Sequence, residues 1–424
     1  MRLQLSGYAA ALAGLYIWSH AVAPAVADDR FDFTTTWYQE RRRGQKGLTI
    51  IHPQLDFGID GDTVTFGLGY AADIVTGATA AVYSVDATTA ATEFDDVRHQ
   101  GKLLFGFRGS RAVLTFNGGI ANERDYLSLS AGATAAIDLP GKNTNLSLSY
   151  THSFDEVCDR DNSEVISTLE RRALVGDDPC EKKSGVFGRD TPGMTVWHEL
   201  SIDTFQATLT QNLSPTLVGQ ISLFGQVLRG FQANPYRRVR VLGNEPQEVL
   251  PEVRGRAAVS LRVNKYLPSL RGAMHGSLRG YSDTWGVNSG TAELAYSQYA
   301  GRALLFNFRA RIHQQSEAEF FKDAFFYEVE GPARAFFTGD RELAPIRNIL
   351  AGAKLSYIAA GEDGENVLGL FDEIMVNIKG DLLFLNELPA NSLSENRDGI
   401  DAQFLTSDQL LDAFVLQFGI LAAY

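Results

Sequence analysis

The chain has 424 residues, with 38 basic against 51 acidic side chains (formal charge −13), 45% hydrophobic residues, 40 glycines, 26 phenylalanines and 15 tyrosines. That acidic balance argues against nucleic acid as a partner, and after residue 27 no window offers 18 uninterrupted apolar residues for a transmembrane helix. Glycine and aromatics in this abundance suit a turn-rich β chain, and no linker, low-complexity run or composition shift divides it into two domains.

Residues 1–27 read as a secretory signal peptide. Arg2 supplies the basic start, Tyr8 to Trp18 an apolar core too short to span a bilayer, and Ala25-Val26-Ala27 small residues for cleavage before Asp28. Removing it leaves 37 basic against 51 acidic residues, a charge of −14. The remainder, 28–424, is expected to form one domain.

From there the chain is a succession of alternating apolar and polar runs, the period-two signature of half-buried strands. The expected strands are Phe31–Arg41, Leu48–Phe57, Thr63–Asp73, Gln100–Arg108, Arg111–Ile120, Tyr126–Leu139, Asn145–Phe154 and Trp197–Gln211. Then follow Leu217–Phe231, Arg256–Tyr266, Arg271–Ser282, Thr291–Ala300, Arg302–His313, Ile349–Ala359, a strand within Phe371–Leu385, and Leu410–Tyr424. In the last run Phe414, Leu416, Phe418, Ile420, Ala422 and Tyr424 share one face, as a strand closing a barrel against the first strand requires.

Tight turns join alternate runs, at Asp60-Gly61-Asp62, Gly109-Ser110, Pro140-Gly141-Lys142-Asn143, Ser214-Pro215, Pro268-Ser269, Gly301 and Gly361-Glu362-Asp363-Gly364. The junctions between them are as long or longer, the longest covering 74–99, 155–196, 232–255, 314–348 and 386–409. This alternation predicts an all-β fold, a transmembrane antiparallel β-barrel of about 16 strands with long extracellular loops and short periplasmic turns. The location it implies is the outer membrane of a Gram-negative-type bacterium. Aromatic girdles at the two interfaces would use Trp37, Tyr38, Tyr70, Trp197, Trp285, Tyr296, Tyr299, Tyr357 and Tyr424.

The stretches Trp37-Tyr38-Gln39-Glu40, Asp73-Ile74-Val75-Thr76-Gly77-Ala78-Thr79, Asn122-Glu123-Arg124-Asp125-Tyr126, Tyr281-Ser282-Asp283-Thr284-Trp285-Gly286 and Gln315-Ser316-Glu317-Ala318-Glu319-Phe320-Phe321 keep their order along the chain. In these the sequence resembles an uncharacterised bacterial outer-membrane β-barrel family of about this length. The resemblance implies a barrel and supplies no activity, ligand or catalytic residue.

Strand parity turns Arg309, Arg311 and His313 inward, together with Arg262, Arg279, Arg108, Lys102, Lys354 and Lys379, whereas Asp56 and Asp381 are the clearest inward acids. The candidate solute-binding residues are therefore Arg108, Arg262, Arg279, Arg309, Arg311 and Lys354. A basic lumen suits a passive pore for small polar or anionic solutes, since rings of Arg and Lys select anions. The competing reading is a non-transporting barrel with a filled lumen, acting as a surface scaffold or partner platform.

Cys158 and Cys180 fall in one polar segment and are the candidate disulfide of an exported protein. The 316–337 segment carries seven aromatics behind a Ser316/Glu319 capping-box pattern. It has three readings: folded into the mouth, laid on the outer leaflet, or paired above the membrane. The basic clusters Arg41-Arg42-Arg43 with Lys46, and Arg237-Arg238 with Arg240, are either solvated loop charge or grips for lipopolysaccharide phosphates; the expected partners are outer-membrane lipid and lipopolysaccharide. Asp159 to Glu164 lacks the glycine and spacing of a calcium loop, so no metal is expected, and nothing calls for a cofactor. Histidines His152 and His198 near Asp155 and Glu156 are the nearest approach to a hydrolytic set, and with no nucleophile elbow the chain is not expected to be an enzyme.

Overall fold

The computed structural model describes residues 29–40, 47–77, 94–160, 168–174, 180, 195–239, 245–321, 336–361, 366–388 and 411–424. The predicted signal peptide lies outside the described residues.

Sixteen strands form one closed antiparallel barrel in sequence order. They are β1 (Arg30–Glu40), β2 (Thr49–Asp60), β3 (Val64–Gly77), β4 (Phe94–Arg108), β5 (Ala112–Asn122), β6 (Tyr126–Asp138), β7 (Thr144–Arg160) and β8 (Thr195–Ser214), then β9 (Leu217–Gly230), β10 (Val253–Leu267), β11 (Gly272–Asp283), β12 (Asn288–Ala300), β13 (Leu304–Gln315), β14 (Ile346–Ala360), β15 (Glu373–Glu387) and β16 (Leu411–Ala423). The expected closure occurs: β16 pairs with β1 from Arg30↔Ala423 to Glu40↔Ala413, so no strand is left with an open edge. Every ladder hydrogen bond is then made inside the sheet, which is the condition for a sheet to sit in hydrocarbon.

Alternation sets the two faces. On β10, Val259, Leu261 and Val263 stand out from the wall about half exposed, while Ser260 between them is sealed inside. The same parity puts Leu278, Phe308 and Leu223 outward at more than half exposure, and carries on through the closing seam with Leu416 and Phe418. An apolar surface this continuous belongs in lipid.

Strands β7 and β8 run to 17 and 20 residues, longer than the 9–11 or so needed to cross a bilayer. Their ends, expected as loop, therefore project past the membrane at the long-loop end. Two connections at that end are short, Glu123–Asp125 and Thr284–Val287, and at the opposite end β14 and β15 are joined by the longer stretch 361–372.

The aromatic girdle is narrower than the sequence suggests. Trp37, Tyr70, Tyr357 and Tyr424 are exposed, Trp37, Tyr70 and Tyr357 on outward positions of their strands, whereas Trp197 and Trp285 are buried beneath loop segments. Tyr38 is also buried, on the inner face, where its hydroxyl donates to Glu40 Oε1 (3.0 Å). Tyr299 falls on the inward parity of β12, opposite Leu305.

The lumen wall and the mouth as candidate functional site

Arg309 on β13 and Asp381 on β15 are separated by the whole width of β14, yet they form a bidentate pair, Nε to Oδ1 at 3.0 Å and Nη2 to Oδ2 at 2.6 Å. The register explains how. Both residues are level with Gly352 on β14, and a Cβ at that position would lie 1.9 Å from Asp381 Oδ1. The missing side chain leaves the lane through which the two charges meet. Lys379 Nζ adds a third contact to Asp381 at 3.3 Å, and Lys354 lies level with Asn307 and Lys379 on the same patch of wall. Two cations, Arg309 and Lys379, thus hold one carboxylate that is 2% exposed.

Arg262, Arg279 and Arg311 share the adjoining wall. Arg262 faces Ser277 and Gln220, Arg279 faces Ser260 and Thr291, and Arg311 faces Glu293 and Leu350 in register. Arg279 is exposed to the lumen, its guanidinium 5.8 Å from the Tyr281 ring. Arg108 stands apart at the short-turn rim, held by Asp60 at 2.7 and 2.9 Å. The structure therefore gathers five of the six candidate residues on β10–β14 and leaves Arg108 paired on the other side.

Among the described residues, His152 and His198 are held by other partners than Asp155 and Glu156. His152 faces outward and meets Asp203 at 2.8 Å, which also accepts from Tyr150 and Arg229, while Asp155 follows the opposite parity and accepts from Tyr126. His198 Nε2 is 3.6 Å from Asp159, whose carboxylate is taken by Arg171 (2.6 Å) and Gln247 (2.9 Å). Among the described residues no cluster of side chains is arranged to hold a metal.

At the long-loop end the described parts of the loops build a roof. Segments 232–239 and 245–252, between β9 and β10, meet segments 316–321 and 336–345, between β13 and β14, through paired backbone bonds between Val249 and Phe337. Val239, Phe320, Phe321, Phe337, Leu343 and Ala344 form a buried apolar core with Trp285 and with the inward-facing wall residues Ile346 and Leu385. Contact with inner-wall side chains shows that the described part of the 316–337 segment folds over the mouth; residues 322–335 lie outside the described residues. The capping-box pattern caps no helix. Ser316 Oγ instead accepts from Asn288 N (3.0 Å) and lies 3.2 Å from Gly286 O, tying the segment to the β11–β12 hairpin.

That hairpin is built around Asp283. Its Oδ1 accepts from the backbone N–H of Trp285 and Val287 (3.0 Å each), and its Oδ2 from Arg254 Nε and Tyr281 Oη (2.9 and 2.8 Å). Arg254 lies 4.1 Å above the Trp285 ring, a cation–π contact, and Trp285 Nε1 donates to Val253 O. Gly286 turns the chain at φ +88°, a conformation that suits glycine. On the far side of the mouth Arg341, in the 3-10 turn Arg341–Leu343, reaches the closing seam. It pairs with Asp412 at the head of β16 and approaches Glu40 at the head of β1 to 4.0 Å.

Arg237 is part of this roof and is 2% exposed, between Glu248 (3.7 Å) and Asp340 (3.7 Å). It is therefore turned away from any lipid phosphate. Arg238 is partly exposed beside Glu245, and Arg41, Arg42, Arg43, Lys46 and Arg240 lie outside the described residues. Sequence reasoning missed this network because a lone charged residue in a loop carries no sign of burial. The available signal was its company, since aromatics dense enough to need cover surround the charges.

Cys158, at the top of β7, and Cys180 are joined in a disulfide, with Trp197, Leu174 and Tyr236 packed around it. The described residues of the five stretches that carry the family resemblance map to this same end: the tops of β1, β3, β11 and β13, and the short β5–β6 connection; Ala78 and Thr79 lie outside the described residues.

A family model described as a protein of unknown function (DUF3570) matches residues 8–366. The chain belongs to this family. No curated protein matches it. Among solved structures, a bacterial polysaccharide outer membrane secretin is 8% identical, with 94% of this chain and 99% of that chain covered at a TM-score of 0.47. OccD3 (OpdP) of Pseudomonas aeruginosa is also 8% identical, covering 94% and 91% at 0.41. OccK2 (OpdF) of Pseudomonas aeruginosa, in complex with glucuronate, is 10% identical, covering 94% and 98% at 0.39. These are likenesses of overall architecture only.

Proposed function

We propose that this DUF3570 barrel is a passive outer-membrane pore for small solutes, favouring anions through the wall of β10–β14. The observation that carries the reading is the placement of Arg279 and Lys354. Both face the lumen, and neither has a carboxylate at ion-pair distance among the described residues. A barrel of sixteen strands is wide enough for water, and cations on its inner surface raise the local concentration of anions. Arg309 and Lys379 contribute less, because Asp381 offsets them.

The roof favours a second reading, a barrel sealed at its mouth that serves as a scaffold or partner platform. Planar-bilayer recording separates the two. A pore gives discrete conductance steps and, under a salt gradient, a reversal potential of the sign that marks anion preference. The double variant Arg279→Glu/Lys354→Glu is expected to bring that potential to zero or reverse it, with no change in thermal stability. Silence from demonstrably folded protein supports the scaffold, and a reversal potential identical in the double variant removes the β10–β14 wall as the selective surface.

A further inference from the structure

The roof holds its charges in an unusual way. Glu248 is 1% exposed and Asp340 5%, and Arg237 lies between them at 3.7 Å from each. Glu248 Oε1 accepts from the backbone N–H of Asn234 (2.7 Å) on its own loop, and Oε2 from Thr338 Oγ1 (2.7 Å) on the other. The same Asp340 caps the 3-10 turn by accepting from Glu342 N at 2.8 Å. From the β7–β8 side, Asp159, Arg171 and His198 sit beside the neighbouring Gln247, already paired among themselves. From the wall the charge of Arg256 acts on Glu342 against its burial, and Arg341 is engaged by Asp412 and Glu40. Within the seam where the two loop segments meet, the described residues thus set two buried carboxylates against one shared guanidinium.

We propose that the roof is an acid-closed cover, in which Glu248 and Asp340 share Arg237 and hold the two loop segments together most tightly while the pair carries a proton. A buried carboxylate in excess of its counter-charge is costly to ionise. Burial, with the charge of Asp340, pushes the Glu248 carboxyl up to about 7, against the opposing effect of Arg237, Thr338 and the Asn234 N–H. Burial and Asp340 likewise raise Glu342. In the opened loop Glu248 returns to its ordinary value of 4.5. A group raised in the closed state contributes its full stabilisation below the open-state value and loses it as pH rises toward the closed-state value. The roof is therefore tightest below pH 4.5, loosens by up to about tenfold per pH unit up to about 7, and levels off above that.

The consequence for solute passage rests on the pore reading, but the roof itself can be tested without it. Hydrogen exchange of the full barrel in lipid, corrected for intrinsic chemistry, reads the Val249 and Phe337 amides that cross between the loops. Their protection is expected to fall between pH 4.5 and 8 by roughly ten- to several-hundred-fold, while the amides of β10 and β14 stay constant. Glu248→Gln, which mimics the protonated acid, should keep the roof protected at pH 8, and Glu245→Gln, on the exposed rim, should follow the wild type. Asp340→Asn removes the charge that helps raise Glu248 and should shrink the fall and end it at lower pH; it serves if Glu248→Gln does not fold. A flat wild-type profile overturns the proposal, as does a Glu248→Gln or Asp340→Asn chain that retains the full wild-type pH dependence. Bilayer current recorded over the same range keeps the two ideas apart. Responding amides with no current at any pH leave the roof standing and end the pore reading, and a steady current over a flat exchange profile does the reverse.

Discussion

The wall and the roof use the same residue types in opposite senses. In the wall, Leu278 and Phe308 look outward, more than half exposed, and Asp381 is sealed inside against Arg309. In the roof, Phe321 and Phe337 are fully covered, and the buried carboxylates of Glu248 and Asp340 sit among them around Arg237. The solvent makes the difference. Lipid removes the reason to hide apolar side chains on the wall, so its interior is left to charge. The loops stand in water, where aromatics gain by packing together and any charge caught between them loses hydration.

Asp381→Ala is expected to produce the largest effect. It strands Arg309 and Lys379 on the wall and should cost about 3–5 kcal/mol of unfolding free energy, as removal of one partner of a buried pair does, measured by denaturant titration in detergent or lipid. If the cost is under about 1 kcal/mol, the wall pair is solvated and the contrast with the roof disappears. Next comes Leu278→Arg, a cation placed in the lipid-facing belt. It should cost about 2–4 kcal/mol in lipid, whereas the reverse exchange at the partly exposed loop position, Arg238→Leu, should be nearly neutral. Third is Cys180→Ser, which opens a link spanning 22 residues. The expected loss is about 3 kcal/mol at most, read as lower exchange protection at the tops of β7 and β8 with the transmembrane ladder unchanged. A loss shared evenly by all strands would show that loops and wall unfold as one unit.

Much of the wall was legible in the sequence. Alternation is a local property: once Leu304, Phe306 and Phe308 are taken as outward, Asn307, Arg309 and Arg311 must face the lumen. The inward candidates on β10, β11, β13 and β14 were readable for that reason. The partners were not readable. Whether Arg309 is free or neutralised depends on the register of β13, β14 and β15 and on glycine standing at position 352, and no period-two pattern encodes a register. Arg108 shows the same limit, since its tie to Asp60 crosses from β4 to β2 over the width of β3. Trp197 and Trp285 had the composition of girdle residues but sit at strand ends beneath loops, which only the loop path reveals.

By itself, then, the sequence determined a barrel of about sixteen strands, the inward parity of the charged candidates on the wall and an apolar face on the last strand fit to close on the first, because alternation and tight turns require only short-range information. Tertiary structure alone decided which lumen cations pair with Asp381 and Asp60, that Phe320, Phe321 and Phe337 pack over the mouth, and that Arg237 is buried between two acids. The roof depends on contacts between segments far apart in the chain, Glu248 with Thr338, 90 residues on, and Val249 with Phe337. Their energy comes from burial that neither segment can provide alone.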